Sequence, residues 1–77
     1  MIIAFHDNAL GERGTTVAVY DYAYYNQTLL GNKSIILYEK NNINNNQEVI
    51  QKFQKEFNVY AYESWSEVDE VLKDNQV

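Results

Sequence analysis

Three short, mostly apolar runs, each followed by a longer segment of helical character, constrain the fold of this chain more than any other feature. The runs occupy residues 2–6, 34–38 and 58–62. A run of this length bounded by turn-forming residues is typical of a buried strand. Strands that alternate with helices favour a parallel sheet, because a helical crossover returns the chain to the same end of the sheet. The sequence therefore predicts an α/β fold in the order strand, helix, strand, helix, strand, helix.

Residues 15–30 combine strand-favouring and helix-favouring features. Their β-branched and aromatic content suits a strand, but the segment is longer than an ordinary strand. Thr15 is a suitable N-cap and Gly31 a suitable residue just after a helix. The segment is therefore predicted as a helix, and its apolar residues recur on one stripe. The predicted inner stripe consists of Ala18, Tyr22, Tyr25 and Leu29, with Val19, Ala23 and Leu30 beside it. Tyr20, Tyr22, Tyr24 and Tyr25 resemble a stacking surface, but a helix distributes them around its circumference, so most are predicted to pack in the core or between helices.

The remaining segments have clearer patterns. The second helix begins near residue 47, and its predicted inner face is Val49, Ile50, Phe53 and Phe57. The third helix opens with Ser64 and Glu67 at the spacing of a capping box. Its predicted inner face is Val68, Val71 and Leu72, with Trp65 as a packing anchor. Residues 40–46, rich in asparagine, are predicted as a mobile, solvated loop.

Composition excludes several classes of protein. The chain has 77 residues, enough for one small domain, and it contains no cysteine and one histidine. Disulfides, thiolate zinc sites and cysteine nucleophiles are excluded, and we expect no metal and no cofactor. A net charge of −5 is the wrong sign for binding phosphate backbones, so nucleic acid is not an expected partner. No run is long enough for a membrane span and no targeting signal is visible, which predicts a cytoplasmic protein.

The loop after the first strand is the main candidate for chemistry, because parallel α/β sheets bind ligands beyond the carboxyl ends of their strands. Gly14 permits close approach of a ligand, and Arg13 offers a bidentate charge. The amides of Thr15, Thr16 and Val17 are expected to be free donors at the positive end of a helix dipole. The loop could hold an anion or sugar hydroxyls, or it could be an ordinary glycine turn with its arginine in solvent. Dinucleotide and Walker motifs are absent.

Three polar residues near this loop have two readings each. His6, at the end of the first strand, could be a proton donor or a ligand of sugar hydroxyls, or a buried histidine bonded to backbone. Asp7 and Glu12 could pair with Arg13 or lie in solvent. Asp7 is the better site candidate because it is closer to the sheet.

Residues 10–23 resemble the opening of group 1, GT-B-fold glycosyltransferases. The stretch Gly11-Glu12-Arg13-Gly14-Thr15-Thr16-Val17-Ala18 is similar to a Gly-x-Arg-Gly-Thr-x-Val-Ala sequence in some viral and microbial members. The second strand, through Tyr38, continues the likeness, and later segments match only in pattern. The resemblance implies a three-layer Rossmann-like parallel sheet. In that family two such domains face each other across a cleft, the first binding the acceptor and the second the nucleotide-sugar donor.

The resemblance implies a site but no catalytic residue. The cleft-lining residues carried over are Gly11, Arg13, Gly14 and Thr15, with His6 and Asn8 beside them. Many relatives have Glu where this chain has Thr16, so a cleft carboxylate is not expected there. The family's donor-binding Glu motif belongs to the second domain. Residues 1–77 are therefore expected to form one partial Rossmann-like domain, the acceptor-side piece of a longer glycosyltransferase, inactive alone. Its expected partners are a nucleotide-sugar donor and a glycan acceptor of unassigned sugar type.

A second, non-enzymatic interpretation stays open. A three-stranded parallel sheet has free edges, which proteins normally cover. The chain could be a stand-alone α/β binding or interaction module that pairs through its exposed third-strand edge, with another chain or with itself. A phosphorylatable receiver domain is not expected, because Glu63 stands where an aspartate is required.

Overall fold

A computed structural model describes all residues, 1–77, as a small α/β domain. Its elements are β1 (Ile2–Asp7), α1 (Gly14–Thr28), β2 (Lys33–Glu39), α2 (Gln47–Glu56), β3 (Asn58–Tyr62) and α3 (Trp65–Asp74). The predicted alternation of three strands and three helices is confirmed. None of the helices has the length and hydrophobicity that crossing a membrane requires.

The three strands form one parallel sheet in the order β1-β2-β3. His6 lies beside Leu37, which in turn lies beside Tyr60, so the three carboxyl ends meet at one edge of the sheet. Residues 34–38 of β2 are all buried. A central strand covered on both faces needs such a continuous run, and the prediction for this segment is confirmed. The outer edges of β1 and β3 are free of backbone pairing.

The larger part of the core lies between the sheet and helices α1 and α2. Ile36 and the partly buried Phe5 and Val59 face this side. Two crossovers of the same hand that advance in one direction across a sheet place both helices on one face. The buried cluster consists of Leu10, Ala23, Ile36, Tyr38, Ile50, Phe53 and Phe57.

Helix α3 covers the opposite face of the sheet. Successive strand residues point to opposite faces, so Leu37 and Tyr62 pack with Val68 of α3. Val71 and Leu72 contribute partly buried side chains to this cluster, as predicted. Helices on both faces make the domain three layers deep.

The predicted inner stripe of α1 is wrong, although Ala23 and Val19, which were predicted to lie beside it, do face the sheet. Tyr22, Tyr25 and Leu29 are exposed, at 68%, 54% and 75% of their surface. The residues that face the sheet are instead Thr16, Ala23 and Asn26, with Val19 and Tyr20 partly buried. Tyr24 is also exposed, so Tyr20 is the only helix tyrosine that packs in the core. Its ring lies edge-on to Phe53, with centroids 5.1 Å apart.

Polar residues occupy the inner face of α1 because each finds a hydrogen-bonding partner there. The Asn26 side-chain amide donates to the Ser34 hydroxyl at 2.9 Å, and that hydroxyl donates to the Ala23 carbonyl at 2.8 Å. Burying a polar group is tolerated when its hydrogen bonds are made. Apolar periodicity alone cannot detect such an inner face.

The ends of α1 also differ from the prediction. The helix begins at Gly14, and its N-cap is Arg13 rather than Thr15, with no side-chain capping bond. It ends at Thr28, and Leu29 is the C-cap. Gly31 has a φ of +70°, a left-handed conformation that favours glycine, which agrees with its predicted role in ending the helical segment.

Candidate functional site

The carboxyl edge of the sheet carries the candidate residues on two opposite faces. His6 and Asp7 are neighbours in β1, so their side chains point to different sides. His6 contacts Tyr62 on the α3 face, whereas Asp7 contacts Arg13 and Thr16 at the start of α1. The six residues implied by the resemblance therefore divide between two locations.

Asp7 anchors the start of α1. Its carboxylate accepts a hydrogen bond from the buried Thr16 hydroxyl at 2.9 Å, and the Arg13 guanidinium lies 3.8 Å away. The Asp7 side chain is 10% exposed and the Arg13 side chain 51% exposed. The pairing of Asp7 with Arg13 is thus present, with the arginine at the surface. Thr16 lies beneath the surface and supports Asp7.

The backbone amides at the start of α1 are only partly free. The Thr16 and Val17 amides donate to the Arg13 carbonyl at 3.1 and 3.2 Å, so the expectation that they are free is wrong. The amides of Gly14 and Thr15 donate to no group of the chain, and both residues are exposed. The open part of this site is therefore Arg13, Gly14 and Thr15.

Gly11 differs from Gly14 in its surroundings. A Cβ atom on Gly11 would lie 2.5 Å from the Asn44 carbonyl oxygen, whereas one on Gly14 would meet nothing within 4 Å. Gly11 is buried because residues 44–46 fold over it. Close backbone packing, rather than an unusual φ, is what requires glycine at position 11.

The asparagine-rich segment braces this loop and is not merely solvated. The Asn45 side chain accepts from the Leu10 amide at 3.0 Å and donates to the carbonyls of Glu39 and Lys40 at 2.9 and 3.2 Å. The Asn46 side chain accepts from the amides of Glu48 and Val49 and thereby caps α2. Glu12 does not pair with Arg13; its carboxylate accepts from Asn46 at 3.3 Å.

Asn45→Ala is expected to destabilise the domain by about 1–2 kcal/mol, because the Leu10 amide and two carbonyls lose their partner. Asn41, exposed and without a side-chain hydrogen bond, supplies the matched control. Asn41→Ala should change stability by no more than about 0.5 kcal/mol. Urea denaturation followed by circular dichroism measures both; equal effects would contradict the bracing role.

A groove of about 250 Å³ lies between α1 and α2. It is lined by Gly11, Glu12, Thr16, Val17, Tyr20, Val49, Lys52 and Phe53. Lys52 Nζ lies 4.4 Å from the centre of the Tyr20 ring. Burial, with smaller contributions from nearby Glu56, Tyr24 and Asp21, raises the pKa of Tyr20. The groove includes Gly11 and Glu12 of the loop, but Arg13, Gly14 and Thr15 lie outside it.

On the other face, His6 belongs to a cluster of three rings. Its Nε2 atom is hydrogen-bonded to the Tyr62 hydroxyl at 2.5 Å, and its ring centre is 5.8 Å from that of Trp65. Burial, and secondarily the charge of Glu39, raises the pKa of Tyr62, so this phenol stays protonated at neutral pH. His6 is exposed, which excludes the reading of a buried histidine bonded to backbone.

Sequence reasoning named His6 but missed its partners. No sequence motif marks Tyr62 as a functional residue. Trp65, expected to be a packing anchor, is 68% exposed although its ring stacks on Tyr62. Strand alternation could have indicated Tyr62, because His6 and Tyr62 lie near the carboxyl ends of parallel strands and point to the same face. Asn8 is exposed nearby, and its carbonyl accepts from the Glu39 amide at 3.1 Å.

No group of three or more histidine or acidic side chains is placed to hold a metal ion. Comparison with protein-family models, characterised proteins and solved structures finds no match to this chain.

Proposed function

We propose that this chain is the N-terminal, acceptor-side domain of a glycosyltransferase built from two Rossmann-like domains. The resemblance of residues 10–38 to that family supports the proposal, as does the three-layer parallel fold. The observation that carries it furthest is the exposure of Arg13, Gly14 and Thr15 at the carboxyl edge of the sheet. Ligands of parallel α/β sheets bind at this edge, where helices begin.

The exposed segment suits a reaction in which a nucleoside diphosphate leaves a sugar. Negative charge grows on the diphosphate as the glycosidic bond breaks, and preorganised donors stabilise such charge. The free amides of Gly14 and Thr15 and the guanidinium of Arg13 are donors of this kind. Asp7 and Thr16 hold the arginine at the helix start. Donor binding is assigned to the second domain, so residues 1–77 alone should not transfer sugar.

Arg13→Ala is expected to lower turnover of the glycosyltransferase containing this domain by about 10–100-fold, because one donor to the leaving diphosphate is lost. The free energy of unfolding should change by at most about 1 kcal/mol, since the Arg13 side chain is half-exposed and Asp7 keeps its hydrogen bond from Thr16. Release of nucleoside diphosphate from a panel of nucleotide sugars measures turnover.

Lys55→Ala is the matched control, because it removes an exposed positive charge from the C-terminal end of α2. It should leave turnover unchanged. If Arg13→Ala lowers the Tm strongly while specific activity stays constant, Arg13 is structural and the proposed role is wrong.

Binding to the isolated chain is tested by NMR. We expect nucleotide sugars, through their diphosphate, to shift the amides of residues 11–17. Shifts confined to other parts of the chain would contradict the assignment of this segment.

A second candidate function is a non-enzymatic interaction module. It is favoured by the free edges of β1 and β3 and by the exposed apolar side chains of Tyr22, Leu29 and Leu30. Sedimentation distinguishes the two: a module that pairs through its edge should self-associate or bind another chain, and a monomer at all concentrations excludes self-pairing.

A further inference from the structure

At the carboxyl edge of the sheet, the exposed ring of Trp65 stacks on the buried ring of Tyr62 and lies beside the exposed ring of His6. We call these three rings the aromatic platform. We propose that this aromatic platform binds the pyranose ring of a neutral sugar by stacking on Trp65. The proposal rests on the proposed glycosyltransferase function, for which it supplies a place for the acceptor sugar. It concerns the α3 face, opposite the Arg13 segment.

The platform is built from three separate parts of the chain. His6 is the penultimate residue of β1, Tyr62 ends β3 and Trp65 begins α3. Tyr62 is 5% exposed and its ring is nearly parallel to that of Trp65, at 29° with centroids 5.6 Å apart. The hydrogen bond to His6 fixes the Tyr62 hydroxyl. A large exposed indole is thus supported from below, and a ligand that stacks on it costs little ordering of side chains.

The chemistry of the surrounding groups suits a sugar. One face of a pyranose ring presents C–H groups, which pack against the electron-rich face of an aromatic ring. Its hydroxyls both donate and accept hydrogen bonds. The hydroxyls of Ser64 and Ser66, 2.9 Å apart, flank Trp65 in sequence, and only one nitrogen of His6 is bonded to the protein. The unbonded nitrogen of His6 therefore offers a hydrogen-bonding group beside the Trp65 ring.

The local charge favours a neutral ligand over an anionic one. Glu63 and Glu67 lie on either side of Trp65 in sequence, and Glu39 is close enough to Tyr62 to raise the pKa of its phenol. One nearby lysine, Lys40, is paired with Glu63 at 3.2 Å. Acidic groups repel phosphate, so the nucleotide part of a donor is disfavoured here. The other exposed tyrosines lie on α1, across the sheet, so this patch is the size of a single ring rather than of a protein interface.

Trp65 is the only tryptophan of the chain, so its fluorescence reports directly on the platform. We expect a saturable change in emission when the 77-residue chain is titrated with methyl glycosides of glucose, galactose and mannose. Sugar stacking on one ring gives affinities of about 1 mM or weaker, so titration should extend to about 100 mM. NMR of the labelled chain should show the same glycoside shifting the Trp65 indole N–H and the amides of Tyr62 and Glu63.

Two variants and one control sharpen the test. Trp65→Ala should weaken glycoside binding, followed by the Tyr62 and Glu63 amides, at least tenfold, and Trp65→Phe should restore part of it. Trp65 is mostly exposed, so both variants should keep the dispersed NMR spectrum of the folded chain. Tyr25→Ala removes an exposed aromatic ring on the opposite face and should leave binding within twofold of the unchanged chain.

The proposal is overturned if the unchanged chain shows no saturable response to any glycoside. It is equally overturned if nucleoside diphosphates without sugar give the same response, or if emission changes with protein concentration alone. The outcomes separate this site from the proposed function. Glycoside binding at the platform without turnover by the longer protein rejects the transferase alone, whereas turnover without any glycoside response at Trp65 rejects the platform alone.

Discussion

Phe53→Ala should lower the free energy of unfolding by about 3–5 kcal/mol, the usual cost of removing a buried aromatic side chain. Phe53 is 1% exposed and belongs to the core between the sheet and helices α1 and α2. It contacts the edge of Tyr20 and lies 6.0 Å, between ring centres, from Phe57. Removing the ring would therefore leave a cavity and remove a contact between α1 and α2.

A domain of 77 residues has little stability to lose. At roughly 0.05–0.15 kcal/mol per residue, Phe53→Ala removes a large part of the total, and a substantial unfolded fraction is expected at 37 °C. Urea denaturation measures the loss. Gln54→Ala, an exposed change in the same helix, is the control and should have little effect. A loss below about 1 kcal/mol for Phe53→Ala would mean that the core does not depend on this ring.

Gly11→Ala should destabilise the domain by about 1–3 kcal/mol, because a new methyl group would meet the Asn44 carbonyl oxygen at 2.5 Å. The Asn44 carbonyl group belongs to the backbone, so it cannot rotate away from the contact as a flexible side chain could. Residues 44–46 would have to move, which would strain the hydrogen bonds between Leu10 and both Asn45 and Asn46. Thermal denaturation and the NMR shifts of residues 10–12 report the two effects.

Gly14→Ala is the matched control. Its added Cβ meets nothing within 4 Å, and Gly14 is the first residue of α1. Alanine is a better helix former than glycine, so Gly14→Ala should be neutral or slightly stabilising, by up to about 1 kcal/mol. Equal losses in the two variants would show that Gly11 is not held by the asparagine segment.

The positions of the strands can be predicted from the sequence alone, because a strand is indicated by a pattern of neighbouring residues. The apolar run at residues 34–38 predicted a buried strand, and all five residues are buried. The patterns of α2 and α3 were equally clear, since each has one continuous apolar face. Phe53 and Val68 lie where those patterns put them.

For helix α1, the local sequence pattern is not sufficient to predict which face packs against the sheet. Apolar residues surround this helix, so periodicity allows more than one inner face. The face that packs against the sheet contains Thr16 and Asn26, whose side chains form hydrogen bonds with Asp7 and Ser34. Those partners lie in other elements, and their positions follow only from packing.

The candidate site, too, could be predicted only in part from the sequence. Arg13 and Gly14 could be predicted as site residues, because their residue types and their position in a loop are evident from the sequence. Both residues are exposed in the structure. The covering of Gly11 by Asn44 and the contact of His6 with Tyr62 join segments 33 and 56 residues apart.

Element order, strand direction and the burial of residues 34–38 follow from neighbouring residues, because turn chemistry and hydrophobic period act over a few positions. The inner face of α1, the cover over Gly11 and the partners of His6 required the folded chain. Each of these three features depends on a group far away in the sequence that completes a hydrogen bond or fills space. The periodicity of apolar residues along the sequence does not indicate which distant residues form such pairs.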